Sequence, residues 1–353
     1  MSTPIRCPQY KLNSTSKASG DFNTIPAGTN YGDYLYWTGT QWLTDSNKIH
    51  LGADAGRYYQ SKYAVALGQA SGTQTQATFA TAIGYSAGNY YQGQSAIAIG
   101  QYAGSNSQQP TAIAIGQYAG SVIQQQNAIA IGTGAGENTQ NTESIAIGTN
   151  AGSNSQQQVA IAIGFQAGYN TQGTNSIAIG QNAGFGSQGS NSIAIGTNAG
   201  ISQAANSIIL NASGAPLNSS TTGLFIKPVR GAFSSTNVLS YNISTNEIFY
   251  NGSSQRYKHD IEPMSQNTET IFQLEPKEFK YNTDKSTDIG FIAEEVAQID
   301  SAFAYVDKDG IPEGIQWNTI TTYLVAEMKK MKEDIIMFES EIQELKNTIK
   351  PKQ

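Results

Sequence analysis

The sequence predicts a mostly β fold, a parallel β-roll of 16-residue repeats followed by an α+β domain that ends in a long helix. The pattern Ala-Ile-Ala-Ile-Gly-x-x-Ala-Gly recurs every 16 residues, and its first glycine occupies ten positions from Gly52 to Gly196. The repeats are almost uncharged, and charged residues make up only 13% of the whole chain, against roughly 25% in an average protein. Near the C-terminus, the apolar residues change to helical spacing. Because the ten copies keep one period without insertion or deletion, each is expected to form one turn of a stacked structure.

Within a repeat, Ile97-Ala98-Ile99 is predicted to be a strand whose isoleucines point to one face and whose alanine points to the other. We expect the isoleucines to fill a narrow interior and the alanine to allow close approach of another layer or chain. Gly100 and the pair Ala103-Gly104 would form two corners. The polar residues 105–109 would form the outer strand and turn.

Composition and patterning predict four segments. Residues 1–47 contain aromatic residues that alternate around Thr-Gly, which predicts a β-hairpin that either attaches the protein or covers the open end of the roll. Residues 48–211 are the repeats, and 212–252 are expected to form a β stalk. Residues 253–353 carry 19 acidic and 12 basic side chains, a net of −7, whereas the whole chain is −6. This composition break marks the boundary of a separate C-terminal domain.

The last helix is predicted from apolar residues spaced three and four apart over three heptads. They are Leu324, Met328, Met331, Ile335, Phe338, Ile342, Leu345 and Ile349. Two interpretations remain open: a coiled-coil-like bundle of identical chains, or a single helix packed on its own domain.

Several classes of function are excluded by composition. The acidic balance and the lack of a basic patch argue against nucleic-acid binding. Cys7 is the only cysteine, and His50 and His259 lie far apart in sequence, so neither a metal site nor a cofactor is expected. No segment approaches the roughly 20 apolar residues of a membrane-spanning helix, and the first residues lack the apolar core of a signal peptide. We therefore expect neither membrane insertion nor secretion.

The repeat, as in Ser192 to Ala199, resembles the head repeats of trimeric autotransporter adhesins of the YadA type. That resemblance covers roughly 160 residues and implies a trimeric left-handed parallel β-roll. The uniform period of 16 is longer than in most such heads, so the turn is expected to differ.

The composition break falls at residues 251–261. Taken alone, these residues predict a turn followed by a helix with a serine N-cap. In context, Ser253-x-x-Arg256-x-Lys258 followed by Asp260-Ile261 resembles the start of the endosialidase-type intramolecular chaperone domain of phage tail spikes and fibres. Three further segments, at 274–281, at 290–296 and from Trp317 onward, resemble that family in the same order.

The resemblance implies a Ser–Lys dyad that cuts the chain once. Ser253 would attack the carbonyl of Gly252, and Lys258 would be the general base, so the enzyme class is a self-cleaving serine peptidase with no external substrate. Arg256 would lower the pKa of the lysine or fix the turn, and Gly252 would permit a strained turn. One position departs from the family, because the residue after the nucleophile is often Asp and is Ser254 here. Tyr257, where the family often has leucine, is a conservative replacement.

The expected function is a homotrimeric virion fibre or spike for host attachment, assembled in the host cytoplasm and joined to the particle through its N-terminal part. The C-terminal domain would align three chains, because uniform repeats offer little to prevent a slip of register. Its release would leave a kinetically stable rod. The alternatives are a bacterial-type surface adhesin and a fibre whose chaperone domain is not cleaved.

The ligand of the rod would be a host-cell receptor or glycan. A glycan-cleaving rod is disfavoured, because Glu137 and Glu143 are the only carboxylates between Ala64 and Asn206 and a uniform rod offers no obvious cleft. A group of tyrosines would either stack on sugars or fill grooves between the chains of the trimer. They are Tyr85, Tyr90, Tyr91, Tyr102 and Tyr118.

Overall fold

The fold was analysed in a computed structural model that describes residues 26–229, 239–242, 245–250, 252–282, 285–307 and 309–349. The chain divides into two units after residue 230. The first is a parallel β-solenoid of about 11 turns, hereafter the coil, and the second is an α+β domain that ends in a long helix. The fold class predicted from the sequence is confirmed at this level.

The coil consists of two parallel sheets to which most turns contribute one strand each. Neighbouring strands pair at the same place in the repeat, as where Ile113 pairs with both Ile97 and Ile129. The first sheet, called the alanine sheet, contains Ile49–Leu51, Val65–Leu67, Thr81–Ile83, Ile97–Ile99, Ile113–Ile115, Ile129–Ile131, Ile145–Ile147, Ile161–Ile163, Ile177–Ile179, Ile193–Ile195, Ser207–Asn211 and Gly223–Lys227. The second, called the glutamine sheet, contains Thr75–Gln76, Tyr91–Gln92, Ser107–Gln108, Ile123–Gln124, Thr139–Gln140, Ser155–Gln156, Thr171–Gln172, Ser187–Gln188, Ala199–Gln203 and Leu217–Ser219.

The interior of the coil is lined by alanine, and the expectation of an isoleucine interior is wrong. Ala98 and Ala103 are fully buried, whereas Ile97 and Ile99 point outward and are half-buried. Alternation along a three-residue strand allows either face to point inward. The distance between the two sheets decides which face points inward, because the Gln108 side chain spans the interior and donates to the carbonyl of Ile97 at 2.8 Å. Two rows of isoleucine would push the sheets beyond that reach.

The polar residues after the second corner form the second strand, as expected, but one glutamine in each turn points inward. Gln108 is fully buried in the glutamine sheet, and most turns hold an equivalent buried glutamine. A buried amide is tolerated only when its polar atoms are paired. The Gln108 amide nitrogen lies 3.1 Å from Gln124 Oε1 of the next turn and 3.2 Å from the carbonyl of Ala112.

The corner after each of the first ten alanine-sheet strands requires glycine for two reasons. Gly100 has φ +125°, a conformation that L-residues rarely adopt. A Cβ on it would also lie 2.7 Å from the carbonyl oxygen of Gly116 in the next turn. The repeated glycine therefore allows successive turns to stack in contact.

The aromatic residues near the N-terminus form the predicted hairpin, in which Tyr34–Trp37 pairs with Trp42–Asp45. Its Tyr36 ring lies edge-on to His50, with centroids 4.2 Å apart. His50 occupies the place of an inward-facing alanine, and its Nδ1 lies 2.9 Å from Gln60 Oε1. Burial lowers the pKa of His50. These contacts favour the capping role for the hairpin.

The coil extends past residue 211, where the repeats were expected to end. One turn is a residue shorter, so that Ile193 pairs with Ile208. The next turn restores the spacing, with Ile209 opposite Phe225 in the last strand. Part of the segment assigned to a stalk therefore completes the coil.

The described residues of the second unit form three antiparallel hairpins, two α-helices and three short 3-10 helices. Its hairpins pair Leu239–Asn242 with Glu247–Tyr250, Lys277–Lys280 with Thr287–Gly290, and Ala304–Val306 with Pro312–Ile315. The helices are α1, Ala293–Ile299, and α2, Trp317–Ile349, and the 3-10 helices are Gln255–Tyr257, Thr268–Gln273 and Ser301–Phe303. The core consists of Ile271, Val296, Phe303, Ala304, Ile320 and Tyr323.

The α2 helix packs on the domain only through its first turns. Glu327 there is buried, accepts hydrogen bonds from Thr268 Oγ1 and from Lys330 Nζ, the latter at 2.7 Å, and thereby ties the helix to the Thr268–Gln273 segment. Beyond Lys330 every described residue of α2 is exposed, including the predicted heptad positions.

Candidate active site at Ser253

The segment around Ser253 is a tight turn stabilised by its own backbone. Ser254 caps the 3-10 helix Gln255–Tyr257, and its Oγ accepts a hydrogen bond from Arg256 N at 3.3 Å. Serine suits this position because its short hydroxyl satisfies a backbone amide that the helix leaves unpaired. The Lys258 amide donates to the carbonyl of Gln255 at 3.1 Å. The turn thereby directs the chain back toward Ser253.

The turn brings the two predicted dyad residues together. Lys258 Nζ donates a hydrogen bond to Ser253 Oγ at 2.8 Å, and both side chains are exposed to solvent. A protonated lysine can only donate at this contact. Once the amine has lost its proton, the hydrogen bond reverses, and the same distance allows Ser253 Oγ to donate to Nζ, as a general base requires.

Arg256 contacts the turn itself. Its Nε donates to Ser254 Oγ at 3.2 Å, and its guanidinium carbon lies 5.6 Å from the centre of the Tyr257 ring. Of the two roles expected for Arg256, these contacts favour fixing the turn.

Gly252 does not adopt the conformation expected of it. Its φ lies outside the left-handed region, so the backbone there requires no glycine, and the expectation of a strained turn is wrong. Space is the constraint instead: a Cβ on Gly252 would lie 3.3 Å from Cε2 and 3.5 Å from Cδ2 of Tyr257. Asn251, which precedes Gly252 in the expected turn, lies outside the described residues.

Tyr257, a conservative replacement of leucine by residue type, places its ring beside Gly252, which the pattern of residue types does not predict. The available signal was position, since Tyr257 is the only Phe, Tyr or Trp between Gly252 and Ile261. On the other side of the turn, His259 Nδ1 and Asp260 Oδ2 form an exposed pair at 2.8 Å.

The coil has a separate set of candidate residues on its surface. Tyr102 stacks on Tyr118 with centroids 5.2 Å apart, and Tyr85 meets Tyr102 edge-on at the same distance. Glu137 is half-buried and Glu143 is exposed, on different corners of the turn. Within the described ranges, no group of three or more His, Cys, Asp or Glu residues could hold a metal ion. No described helix has the length and apolarity needed to cross a bilayer.

Comparison with known families gives two matches. Residues 160–183 and 187–199 match two copies of the YadA head domain repeat. Residues 253–306 match the family described as chaperone of endosialidase, and the match begins at Ser253 itself. The chain combines YadA-type head repeats with an endosialidase-type chaperone domain. Both resemblances predicted from the sequence are confirmed.

No curated protein and no solved structure matched the chain significantly. The head-repeat match covers two stretches of a longer coil whose turns contribute strands to the same two sheets. The chaperone match includes the Ser253 turn, the hairpin of Lys277–Lys280 with Thr287–Gly290, and α1. It ends before the α2 helix. Together they indicate a fibre or adhesin that carries a chaperone domain.

Proposed function

We propose that this chain is a homotrimeric virion fibre whose chaperone domain aligns three chains and then cuts itself off between Gly252 and Ser253. The observation that carries the proposal is the 2.8 Å contact between Lys258 Nζ and Ser253 Oγ, at the first residue of the chaperone match. A nucleophile beside a base is the minimum that acyl transfer requires.

The proposed reaction has two steps. In the first, Ser253 Oγ forms a bond to the carbonyl carbon of Gly252 while its proton passes to neutral Lys258. The carbon–nitrogen bond then breaks, Lys258 returns the proton to the departing amine of Ser253, and an ester remains. In the second step water hydrolyses the ester, which leaves a carboxylate on Gly252 and restores the Ser253 hydroxyl.

The dyad needs a neutral lysine, and burial is one way to favour that form. In a single chain Ser253 and Lys258 are both exposed, so water solvates the ammonium freely. Association of chains around the turn would remove that water. The proposal therefore links cleavage to assembly, which would prevent the domain from leaving before it has aligned the chains.

Two surfaces support association of identical chains. The outward isoleucines of the alanine sheet form a continuous apolar face along the coil, on which Ile147, Ile163, Ile179 and Ile195 are 36–40% exposed. An apolar patch of that extent on a soluble protein usually marks an interface. The exposed heptad positions of α2 supply a second apolar surface with coiled-coil spacing, which favours the bundle over the single packed helix.

Placement on a virion rests on the resemblance of the chaperone domain to those of phage tail spikes and fibres. The proposed receptor is a host-cell surface molecule or glycan, assembly would occur in the host cytoplasm, and the N-terminal part would join the particle. The YadA head match favours a second candidate, a cell-surface adhesin with the same chaperone domain.

Expression of the full chain beside Ser253→Ala and Lys258→Arg tests the proposal. Denaturing gels and intact mass should show the wild type cut after Gly252 and both variants uncut, because Arg256 and an arginine at 258 cannot act as bases. Ser254→Ala loses the cap of the turn but keeps both dyad residues, so it should still be cut, at a reduced rate. Native mass spectrometry should find uncut Ser253→Ala as a trimer. A full-length wild type would disprove cleavage, and a monomeric Ser253→Ala would disprove the trimer.

A further inference from the structure

The ring of Tyr257 lies against the residue whose carbonyl would be attacked. Two of its ring carbons, Cε2 and Cδ2, come within 3.3 and 3.5 Å of the place where a side chain on Gly252 would begin. Contacts as short as 3.3 Å are tighter than ordinary van der Waals packing, so either the ring or the added carbon would have to move. The hydroxyl is not among these contacting atoms.

Tyr257 also makes two contacts within the turn itself, one through its backbone and one through its ring. The Tyr257 amide donates to the carbonyl of Ser254 at 3.0 Å, which closes the 3-10 helix. The Arg256 guanidinium lies 5.6 Å from the ring centre, within the range of a cation–π contact, and is itself fixed by its hydrogen bond to Ser254 Oγ at 3.2 Å. Tyr257 is 68% exposed, so these few local contacts position it.

Gly252 has no other reason to be glycine in this structure. The φ of Gly252 lies outside the left-handed region, unlike that of Gly223 or Gly214, and the atoms nearest to its absent side chain belong to Tyr257 alone. Among the described residues, the steric restriction on a side chain at position 252 therefore comes from the ring.

We propose that Tyr257 is a positioning and specificity-determining residue for the self-cleavage. Its ring occupies the side-chain space of Gly252 and holds the Gly252–Ser253 peptide beside the Ser253–Lys258 pair. Because the ring occupies the side-chain space, it restricts the residue before the nucleophile to glycine. This inference rests on the proposed self-cleavage and adds to it a reason for the position of the cut.

We expect Tyr257→Ala to slow cleavage when residue 252 is glycine and to speed it when residue 252 is alanine. With Gly252 present, Tyr257→Ala removes the packing that orients the peptide and should slow cleavage several-fold. With Gly252→Ala, the methyl group meets the ring, and cleavage should slow more than tenfold. In the double variant the methyl group has room, so cleavage should be faster than in Gly252→Ala alone. Such coupling is expected of residues in contact and not of distant, independent ones.

The test follows the cleaved fraction of the full-length chain over time on denaturing gels for the wild type, both single variants and the double variant. Tyr257→Phe keeps every contacting ring carbon and should cleave like the wild type. Tyr250→Ala, an exposed tyrosine just before the cut, is the matched control and should also cleave normally. Native mass spectrometry of each variant in a Ser253→Ala background checks that it still assembles.

The outcomes separate the two proposals. If the wild type stays full length, the self-cleavage and the role of Tyr257 are both wrong. If the wild type is cut and Ser253→Ala is not, self-cleavage stands. In that case, Gly252→Ala cleaving at the wild-type rate, or a double variant no faster than Gly252→Ala, would overturn the role of Tyr257 alone.

Discussion

Gln108 Nε2 lies 3.1 Å from Gln124 Oε1 inside the coil, and neither side chain is exposed to solvent. The same contact recurs from turn to turn in an unbroken series between Gln76 and Gln172, and again between Gln188 and Gln203. Each glutamine also donates to carbonyls of the alanine sheet, so the series joins the two sheets and the successive turns at once. A polar residue thereby provides the contact between sheets that large apolar side chains provide in wider folds.

Gln124→Ala should destabilise the coil severely. It removes donors to the carbonyls of Ile113 and Ala128, breaks the series on both sides and leaves a cavity. Buried groups left without partners cost about 1–3 kcal/mol each, so a loss of at least about 3 kcal/mol is expected. Differential scanning calorimetry of the uncut Ser253→Ala chain would measure it as a fall in Tm.

Gln117→Ala is the matched control for that substitution. Gln117 donates to Gln101 Oε1 at 3.0 Å on the outer surface, where water can replace the lost contact. Its cost should stay within about 0.5 kcal/mol. Equal effects of the two substitutions would show that the buried series contributes nothing special.

Gly116→Ala should be far more costly than Gly214→Ala. Both glycines have positive φ, +127° and +74°, so both substitutions carry a conformational cost of about 1 kcal/mol. Only at Gly116 would the new Cβ lie 2.7 Å from a backbone oxygen, that of Gly132, whereas Gly214 has nothing within 4 Å. Thermal unfolding should therefore show a small shift for Gly214→Ala and loss of cooperative unfolding for Gly116→Ala. Similar small shifts would mean that the turns can separate without penalty.

Val159→Asn should stabilise the coil. Val159 is 41% exposed and has φ +60°, where a β-branched residue is strained. The same place in later turns holds asparagine, and Asn175 donates to Asn191 Oδ1 at 3.3 Å. Relief of the strain should add about 1 kcal/mol, measured as a rise in Tm.

Val122→Asn tests the interpretation of that gain. Val122 is equally exposed, at 36%, but its φ is not positive. It should bring no gain, and a rise in Tm equal to that of Val159→Asn would indicate a general effect of surface polarity.

The extent to which the sequence predicts this structure depends on whether a feature repeats. The strict period determines the coil, its corners at glycines such as Gly100, and its parallel strands. It could not determine which face of Ile97-Ala98-Ile99 points inward, because that depends on the distance between sheets, set by the reach of Gln108. The last turn was missed because Phe225 takes the inward-facing place that alanine fills in the repeats, without any repeat motif around it.

The candidate site was predictable only in part, for a related reason. Its dyad follows from a spacing, Ser253 to Lys258, that a short capped turn brings together. The role of Tyr257 depends on the direction of one exposed ring, which no pattern of residue types encodes. The burial of Glu327 likewise follows from tertiary packing rather than from its place in the heptad.

Glu327→Gln should destabilise the C-terminal domain at neutral pH but not in acid. The hydrogen bond from Lys330, followed by that from Thr268, lowers the pKa of Glu327 below its ordinary value of 4.5. A carboxyl group whose pKa is lower in the folded than in the unfolded state stabilises the fold above the unfolded pKa. That contribution is lost as the pH falls through the folded value. The difference in Tm between wild type and variant should therefore be full at pH 7 and shrink below about pH 4.5.

Circular dichroism at 222 nm on the Ser253→Ala chain follows this unfolding, because the described α-helices lie in the C-terminal domain. Glu341→Gln, an exposed change in the same helix, is the control and should leave Tm nearly unchanged at every pH. The Tm difference between wild type and Glu327→Gln could instead persist undiminished at pH 3. That result would show that the contact with Thr268 and Lys330 stabilises the domain through packing and neutral hydrogen bonds rather than through charge.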